Sequence, residues 1–365
     1  MTAELPAVLA VDGGNSKTDV ALVADDGSLL ATATGPGNRS FYAHQTWLGD
    51  LAGLVDSVQQ QAGRAGRPVA AHLSACVANA DLPEQEEALA AALAERGWSG
   101  TVTVANDTFA VLRAGLDSAE APAGATPWGV AVTCGAGINC VGVAPSGQTT
   151  RFLSLGRISG DWGGGYGLGI AALWHAVRAE DGRGPATALT GAVAAHFGVR
   201  TVTEVTLGIH RGDFKEYART ELAPVLLAVA RDGDPVAVRL VRKQAAEICT
   251  MALTAMGKLG LAGLATPVVL GGGLMTARDP LLIGAVTEGI AAGAPNAGVR
   301  IVDVPPVAGA ALFGLDKAGL AAVAEPRLRA AYASAASPGG MAANGAAQDA
   351  GRGTDRVPAR GTERS

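Results

Sequence analysis

VDGGNSKTDVALVADDGS, residues 11–28, is the most informative segment of the chain, and TCGAGINCVGVAPSGQT, residues 133–149, repeats its pattern. Each stretch reads as an apolar strand, a small-residue turn, a second apolar strand and a tight hairpin turn. Glycines allow the backbone to bend sharply and to bring its N–H groups against an anion. Two such hairpins facing each other could clamp a polyphosphate, so the pair predicts an enzyme that uses a nucleotide. The alternative is two ordinary β-hairpins in a glycine-rich protein.

Polar side chains of the first turn fit phosphate chemistry. Asp12, at a strand end, suits the water shell of a metal ion, and Ser16, Lys17 and Thr18 could reach phosphate oxygens. The chain has no GxxxxGK[ST] string, because its one Gly-Lys pair, at 257–258, lacks the upstream glycine. The sequence therefore argues against a P-loop fold.

Composition limits the classes of partner and compartment. The 365 residues, 48% of them hydrophobic, can fill two cores. A formal net charge of −5 with scattered Lys and Arg gives no reason to expect a nucleic-acid partner. Four cysteines form no CxxC pair, which favours a reduced, cytoplasmic setting. The N-terminus lacks a basic n-region, and the longest uncharged stretch, 259–277, contains a proline and three consecutive glycines, so we expect neither a signal peptide nor a membrane span.

The order of apolar segments predicts an α/β chain of two lobes. The first lobe, residues 1–117, alternates hairpin and βαβ patterns. Its predicted strands end at residues 12, 23, 33, 77 and 105, and its predicted helices span 44–64, 84–96 and 107–114. The small, turn-rich segment 116–127 marks the boundary with a second lobe, residues 118–307.

The second lobe begins with its own hairpin, at 128–152. It continues through predicted helices at 163–179, 185–197, 214–230 and 235–260 to strands at 267–270 and 299–302, and a further helix is predicted at 308–322. Residues 334–365 show no apolar period, so we expect a disordered tail there.

Five motifs follow one another along residues 7–320. They are DGGNSK at 12–17, ANDT at 105–108, CGAGINC at 134–140, ISGDWGGGYGLG at 158–169 and LGGGL at 270–274. Together they resemble the BadF/BadG/BcrA/BcrD ATPase group and, within it, N-acetylglucosamine kinases of the sugar kinase, heat-shock cognate and actin superfamily. The resemblance implies a two-lobed, actin-like ATPase fold (ribonuclease H-like), with ATP and a sugar in the cleft between the lobes and the helix 308–322 packing back on the first lobe.

The resemblance also assigns the sugar site. It makes Asp107 a sugar contact and the base on the 6-hydroxyl, whereas the position of Asp107 before a helix would equally suit an N-cap. A carboxylate base fits the chemistry, since an alcohol is a poor nucleophile until its proton is taken. Asp161 is assigned to a sugar hydroxyl, the reverse roles staying open, and Asn38 to the sugar. Ser154 and Leu155 align with family residues that contact the sugar through a glycine and an aromatic ring, and both differ here.

The nucleotide is expected in three turns, with Mg²⁺ held by Asp12 through water. Ala136 stands where the family often has threonine, so backbone amides must hold the phosphates at this turn. The predicted nucleotide-binding residues are Gly13, Gly14, Asn15, Ser16, Lys17, Thr18, Gly135, Ala136, Gly137, Gly271, Gly272 and Gly273.

The leading prediction is an ATP-dependent kinase that phosphorylates the 6-hydroxyl of N-acetylglucosamine with Mg²⁺. Kinases of the same family acting on glucosamine or N-acetylmuramic acid are the nearest alternative. A second is an ATPase that activates radical dehydratases, which needs cysteines placed to bridge an iron–sulfur cluster between subunits. A third is a non-catalytic nucleotide-binding module. The family resemblance implies a homodimer, and no nucleic acid or membrane partner is expected.

Overall fold

The computed structural model describes residues 5–38, 44–120 and 127–336, in which two five-stranded sheets repeat one topology. The first sheet has the order β3-β2-β1-β4-β5, with β1 at Val8–Gly13, β2 at Lys17–Val23, β3 at Leu29–Pro36, β4 at Ala70–Val77 and β5 at Ser99–Asn106. The second has the order β10-β9-β6-β7-β8, with β6 at Gly129–Cys134, β7 at Ile138–Val143, β8 at Thr149–Arg151, β9 at Pro267–Gly271 and β10 at Gly298–Ile301.

Each sheet is a three-stranded antiparallel meander extended by two parallel strands. In the first sheet β2 pairs antiparallel with β1 and β3, and β4 pairs parallel with β1 and β5. In the second, β7 pairs antiparallel with β6 and β8, and β9 pairs parallel with β6 and β10. Carboxyl ends of parallel strands meet at one edge of a sheet. The residues that follow β1, β4 and β5 are therefore brought together.

Helices connect the strands and follow them. In chain order they are α1 His44–Gln61, α2 Pro83–Ala94, α3 Asp107–Ala114, α4 Gly164–Glu180, α5 Leu189–His196, α6 Val202–Arg211, α7 Leu222–Arg231, α8 Pro235–Lys258, α9 Gly273–Thr276, α10 Pro280–Gly293, α11 Pro306–Ala318 and α12 Ala321–Ala336.

The first sheet is covered on both faces. One face packs against α1 and α2 through a core that includes Trp47, Leu51 and Leu89, and the other packs against α11 and α12. The contact with α11 is close, since Ser74 Oγ donates to the Ala310 carbonyl at 2.7 Å. Because α3 also packs on the second sheet, through Val111, Leu112 and neighbouring apolar side chains, its first residue is positioned against both sheets.

Some helix boundaries differ from the prediction. The helix predicted at 308–322 ends at Ala318, because Gly319 takes a left-handed conformation (φ 72°), and α12 then runs to Ala336, past the predicted start of the tail. Residues 337–365 of the predicted tail lie outside the described residues. The prediction missed α6, although Thr201 accepts a hydrogen bond from the Glu204 amide as an N-cap does.

The contacts divide the described chain into two compact units. Residues 5–164 and 242–333 form one unit, which holds both sheets, and residues 165–241 belong to a second, helical unit. In the helical unit the rings of Phe197 and Phe214 lie 4.9 Å apart. The division into lobes at 117/118 stays a prediction. Within the described residues, no helix has both the length and the apolar character required to cross a membrane.

Candidate active site

The first turn, between β1 and β2, is fixed through side chains. The Thr18 hydroxyl is completely buried: it donates to the Pro36 carbonyl at 2.7 Å and accepts from Trp47 Nε1 at 2.8 Å. Lys17 Nζ lies 2.5 Å from Asp19 Oδ2, and the Lys17 side chain is 59% exposed. Thr18 therefore supports the turn rather than presenting its hydroxyl to phosphate, whereas Lys17 remains accessible.

The remaining residues of this turn lie at the first-sheet edge. Gly13 ends β1 opposite Thr18, and the Gly14 carbonyl accepts from the Asn38 amide at 2.9 Å. Asn15 and Ser16 are exposed at the tip of the turn. The tip of the predicted first phosphate turn is thus exposed, whereas the strand residues beneath it are buried.

Asp12 lies below this turn, at the end of β1. It is buried (7% exposed), and burial, with smaller contributions from Asp107 and Asp19, holds its pKa well above the usual value, against the opposing effect of Lys17. Within the described residues no three His, Cys, Asp or Glu side chains form a metal-ligand cluster. A single carboxylate such as that of Asp12 is a ligand type that Mg²⁺ uses, since this ion keeps several waters and is bound through one or two carboxylates plus substrate phosphates.

The second turn, between β6 and β7, is built from the backbone. The Gly135 amide donates to the Gly137 carbonyl at 3.1 Å, and Ala136 and Gly137 are exposed. A Cβ at Gly135 or Gly137 would meet no atom within 4 Å, so this turn faces open space. Thr133, which precedes it on β6, has a buried hydroxyl without a hydrogen-bond partner among the described residues.

Two other glycines press against the second turn. Gly272, in the run Gly271–Gly273 after β9, has φ 85°, and a Cβ there would lie 2.4 Å from the Cys134 carbonyl oxygen. Gly164 has φ 68°, and a Cβ there would lie 2.4 Å from the Gly137 carbonyl oxygen. Both the third predicted nucleotide turn and the loop after Asp161 therefore contact the second turn, which a larger residue would prevent.

Asp107 is the first residue of α3, and it is not the helix cap. The cap is Asn106, whose Oδ1 accepts from the Thr108 amide at 3.0 Å. Asp107 is half-buried; burial raises its pKa to about 6, although the Thr108 hydroxyl and amide oppose the shift. The capping role that the sequence equally allowed is therefore wrong; the Asp107 carboxyl accepts from the Thr108 hydroxyl at 3.4 Å and does not cap the helix.

Asp161 closes a short turn. Its Oδ2 accepts from the Gly156 amide at 3.1 Å and from Ser159 Oγ at 2.7 Å, which shapes the 3-10 turn Gly156–Ser159. Just before this turn, Leu155 is 39% exposed and Ser154 takes a left-handed backbone (φ 55°). One oxygen of Asp161 is thus used within its own loop.

Asn38 carries an unsatisfied group. It is only 3% exposed, and its Nδ2 lies 3.5 Å from the Ala78 carbonyl oxygen. Its Oδ1 is buried without a hydrogen-bond partner among the described residues. A buried acceptor left unpaired is costly. A ligand hydroxyl or amide that donates to this oxygen would remove that cost.

A cleft brings part of the predicted site together. Its lining residues are Asn15, Ala78, Asn79, Asp81, Asp107, Thr108, Thr133, Gly135, Ala136, Gly137, Ile138, Asn139 and Ser154. The two predicted phosphate turns, the predicted base and one predicted sugar contact thus share one cleft. The lining does not include the other predicted residues: Asp12, Gly13, Gly14, Ser16, Lys17, Thr18, Asn38, Leu155, Asp161, Gly271, Gly272 and Gly273.

The prediction missed polar residues of the cleft, among them Asn79, Asp81 and Asn139. Asn79 has a left-handed backbone (φ 64°), and its Nδ2 donates to Asn15 Oδ1 and to the Asn38 carbonyl, each at 2.9 Å. Burial and the neighbouring Asp107 raise the pKa of Asp81 to about 7. Asn139 bonds to the helix-cap residue of α3. Asn79 and Asp81 follow the parallel strand β4, and that position is a signal the sequence carried.

Comparisons with known proteins show which family and which relatives the chain resembles. The model of the BadF/BadG/BcrA/BcrD ATPase family matches residues 9–314. An N-acetylmuramic acid/N-acetylglucosamine kinase of Clostridium acetobutylicum is 27% identical over 244 residues, which cover 66% of this chain and 76% of the relative. An N-acetyl-D-glucosamine kinase of Dictyostelium discoideum is 23% identical over 326 residues, 84% of this chain and 97% of the relative.

A solved structure supports the fold. A protein of Chromobacterium violaceum, solved as a candidate N-acetylglucosamine kinase, superposes with a TM-score of 0.63 at 24% identity, over 84% of this chain and 98% of its own. Identity this low bears on the fold alone. Together with the two sheets of matching topology, it confirms the predicted α/β, actin-like fold class.

Proposed function

Because the chain belongs to the BadF/BadG/BcrA/BcrD ATPase family, we propose that it is an ATP-dependent kinase that transfers the γ-phosphoryl group to the 6-hydroxyl of N-acetylglucosamine. The coarser assignment, an ATP-dependent sugar kinase, follows from the family together with relatives that are themselves sugar kinases. The choice of N-acetylglucosamine and of its 6-hydroxyl is the finer part of the proposal.

The observation that carries the proposal is the carboxyl of Asp107 in the cleft, which accepts only a long hydrogen bond, at 3.4 Å, from the neighbouring Thr108 hydroxyl among the side chains described. It lies between the turn that bears Asn15 and the turn at 135–137, and Asn106 has taken over the capping task. A general base works best with a pKa near the working pH, and a carboxyl raised to about 6 is ionised at neutral pH and still more basic than an ordinary Asp. Asp107 is therefore suited to take the hydroxyl proton as the phosphoryl group transfers.

The two turns are suited to the nucleotide. On one side Lys17 offers an accessible ammonium, and on the other the exposed Gly135–Gly137 turn offers backbone N–H groups. Asp12 would hold Mg²⁺ through water, and the bound ion would neutralise charge on the phosphates. Burial and the nearby carboxylates raise the pKa of Asp12. The positive charge of the ion would lower that pKa, so Asp12 would ionise more readily when the ion is bound.

The sugar is best placed near Asn38, Asp107 and Ser154. The unpaired Oδ1 of Asn38 fits a hydroxyl or amide donor of the ligand. The exposed Leu155 offers an apolar surface that would suit an acetamido methyl group. Asp161 contributes the oxygen that its own turn does not use. N-acetylmuramic acid and glucosamine, which differ at C3 and C2, remain the nearest alternative substrates.

The radical-dehydratase activator is a weaker alternative. Such an activator needs accessible thiols that bridge a cluster between subunits, whereas the four cysteines here are buried: Cys76, Cys134, Cys140 and Cys249. Burial raises the pKa of each thiol, which opposes thiolate ligation of iron. A cytoplasmic location and a homodimer stay predictions.

The proposal is tested by ADP release from the purified protein with Mg-ATP. N-acetylglucosamine, glucosamine, N-acetylmuramic acid, glucose and a reaction without sugar are compared, with Asp107→Asn alongside. We expect turnover to be highest on N-acetylglucosamine and to be lost in the variant. Higher turnover on another sugar would overturn the substrate, and ATP hydrolysis indifferent to every sugar would overturn the kinase.

A further inference from the structure

Four side chains beside the cleft form an uninterrupted chain of hydrogen bonds. Asn106 Nδ2 donates to Asp81 Oδ1 at 2.9 Å, Asn139 Nδ2 donates to Asn106 Oδ1 at 3.0 Å, and Ser154 Oγ donates to Asn139 Oδ1. Asp81 and Asn106 follow or end strands of the first sheet, whereas Asn139 is on β7 and Ser154 follows β8 of the second. The chain therefore links the two sheets.

The hydrogen-bond chain has one direction, and Asp81 is the acceptor at its end. The Thr108 backbone N–H can only donate, so Asn106 must turn its Oδ1 toward that N–H and its Nδ2 toward Asp81 Oδ1. Asn106 Oδ1 also accepts from Asn139 Nδ2. Asn139 Oδ1 in turn accepts from Ser154 and, at 2.6 Å, from the Cys140 amide. Reversing either amide would place donors against donors.

The hydrogen-bond chain is also connected to the proposed base, Asp107, through the backbone of Asn106. Asn106 caps α3 and is the residue before Asp107, so the direction of its side chain fixes where the helix starts and where Asp107 points. The backbone N–H of Asn106 is also held, because it donates to Glu86 Oε1 at 2.9 Å. Glu86 in turn pairs with Arg151 at 2.7 Å. Among the charged groups near Asp81, Asp107, Asp161 and Glu86 raise its pKa, and Arg151 lowers it.

The far end of the chain holds a strained residue. Ser154 has a positive φ of 55°, which costs energy for a residue with a side chain and persists only where the surroundings enforce it. Its hydrogen bond to Asn139 is such a restraint. Ser154 also lines the cleft with Asp107.

We infer that Asp81 is a positioning residue, which through Asn106 and Asn139 holds Asp107 and Ser154 in one fixed arrangement across the two sheets. The inference rests on the proposed function, in which Asp107 is the base and Ser154 borders the sugar. Asp81 acts through Asn106 and does not take the proton of the sugar hydroxyl. The residue at position 81 has to accept the hydrogen bond from Asn106 Nδ2, and its negative charge is of secondary importance.

The test compares Asp81→Ala, which removes the acceptor, with Asp81→Asn, whose Oδ1 still accepts from Asn106. We expect Asp81→Ala to lower kcat about 10- to 100-fold with the KM for ATP nearly unchanged, because a displacement of about 1 Å at a catalytic group has effects of this size. Asp81→Asn should retain kcat within about threefold, since it keeps the hydrogen bond. Asp50→Ala, an exposed carboxylate on α1, is the matched control.

A cycle with Asn139→Ala tests the chain itself. If Asp81 and Asn139 act through Asn106, the kcat of Asp81→Ala/Asn139→Ala should fall no more than about threefold below the worse single variant. If the loss of kcat in the double variant equalled the product of the losses in the two single variants, the inference would be overturned. A kcat of Asp81→Ala equal to that of the wild type would also overturn it. Loss of activity in Asp81→Asn equal to that in Asp81→Ala would instead make Asp81 a catalytic residue and contradict the positioning role.

Thermal unfolding supplies a readout that does not depend on activity. The Tm losses of Asp81→Ala and Asn139→Ala should be less than additive in the double variant, because both break the same chain. If the wild-type protein turned over no sugar, the proposed function would fail while this cycle still tested the hydrogen-bond chain. Additive Tm losses would show that the chain does not act as a unit, whatever the substrate.

Discussion

The two glycine turns occupy equivalent places in two sheets of the same topology, yet they are held in different ways. The first has a backbone bond from Asn38 to Gly14 and, in addition, side-chain support. Thr18 bonds to Pro36 and Trp47, and Asn79 bonds to Asn15. The second is supported by its own backbone and by close packing of Gly164 and Gly272. The shared topology therefore does not dictate how a turn is stabilised.

The difference suggests a division of tasks. The first turn carries polar groups, with Lys17 accessible and Asp12 buried beneath it. The second offers no polar side chain at 135–137, so only its N–H groups can meet an anion. We expect charge neutralisation and the metal at the first turn, and backbone contacts to the nucleotide at the second. The predictions below test this comparison.

The largest effect is expected for Asp107→Asn, which changes the cleft between the turns and leaves both turns intact. We expect kcat to fall by about 10²- to 10⁴-fold, the usual contribution of a general base. The KM for ATP should change little, since neither turn is altered. Steady-state kinetics measure both, and an increase in the KM for ATP with kcat unchanged would assign Asp107 to nucleotide binding instead.

The same variant should be more stable than the wild type at high pH. The pKa of Asp107 rises from its usual 3.8 to about 6 on folding, so the ionised form destabilises the fold; this cost is complete above pH 6 and disappears below about pH 4. Asp107→Asn should therefore gain about 1–3 kcal/mol in the free energy of unfolding at pH 8 and nothing near pH 4. Denaturant unfolding at both pH values checks this, and an equal gain at both would refute it.

Next in size is Gly272→Ala, which acts on the second turn. An alanine there would hold a left-handed backbone and place its Cβ 2.4 Å from the Cys134 carbonyl oxygen. We expect a loss of about 2–4 kcal/mol in the free energy of unfolding, with a higher KM for ATP. Gly273→Ala is the control, because a Cβ there would meet nothing within 4 Å. Equal losses in the two variants would show that close packing does not support this turn.

A smaller effect is expected for Thr18→Val, which acts on the first turn. The variant keeps the shape of Thr18 but leaves the buried Trp47 N–H without its acceptor. We expect a loss of about 1–3 kcal/mol, the cost of an unsatisfied buried group. Ser16→Ala, at an exposed position of the same turn, should be neutral. Chemical denaturation compares the two variants. Unchanged stability in Thr18→Val would show that the Thr18 hydroxyl does not support the first turn.

The smallest effect on stability is expected for Lys17→Ala. Lys17 pairs with the buried Asp19, but the Lys17 side chain is 59% exposed and Thr34 Oγ1 still donates to Asp19 at 2.6 Å, so we expect a loss of about 1 kcal/mol or less. The same variant should raise the KM for ATP several-fold if Lys17 meets phosphate. Thermal unfolding and kinetics measured on one preparation separate the two effects. An unchanged KM would limit Lys17 to its ion pair with Asp19.

The sequence predicted the sheets better than the site. Two hairpins with the same apolar pattern were predicted, one at the start of each lobe, because strand period and glycine turns are local signals; each hairpin belongs to one of the two sheets. The cap at Asn106 was missed because Asn and Asp cap equally well, and only the hydrogen bond to Thr108 distinguishes them.

Contacts between distant segments were harder to foresee. The burial of Thr18 depends on Trp47, which lies on α1, and the role of Asp81 depends on Asn139 in the other sheet. Neither pairing has a local sequence pattern. Asp81 could still have been proposed from its position after a parallel strand, where ligand-binding residues gather.

NMR identification of the product formed from Mg-ATP and N-acetylglucosamine, by the wild type and by Asp107→Asn, tests whether this chain is a 6-kinase with Asp107 as its base. We expect N-acetylglucosamine 6-phosphate from the wild type, seen as phosphorus coupling to the C6 protons, and no product above background from the variant. A phosphate on another hydroxyl, or equal product from the variant, would contradict it.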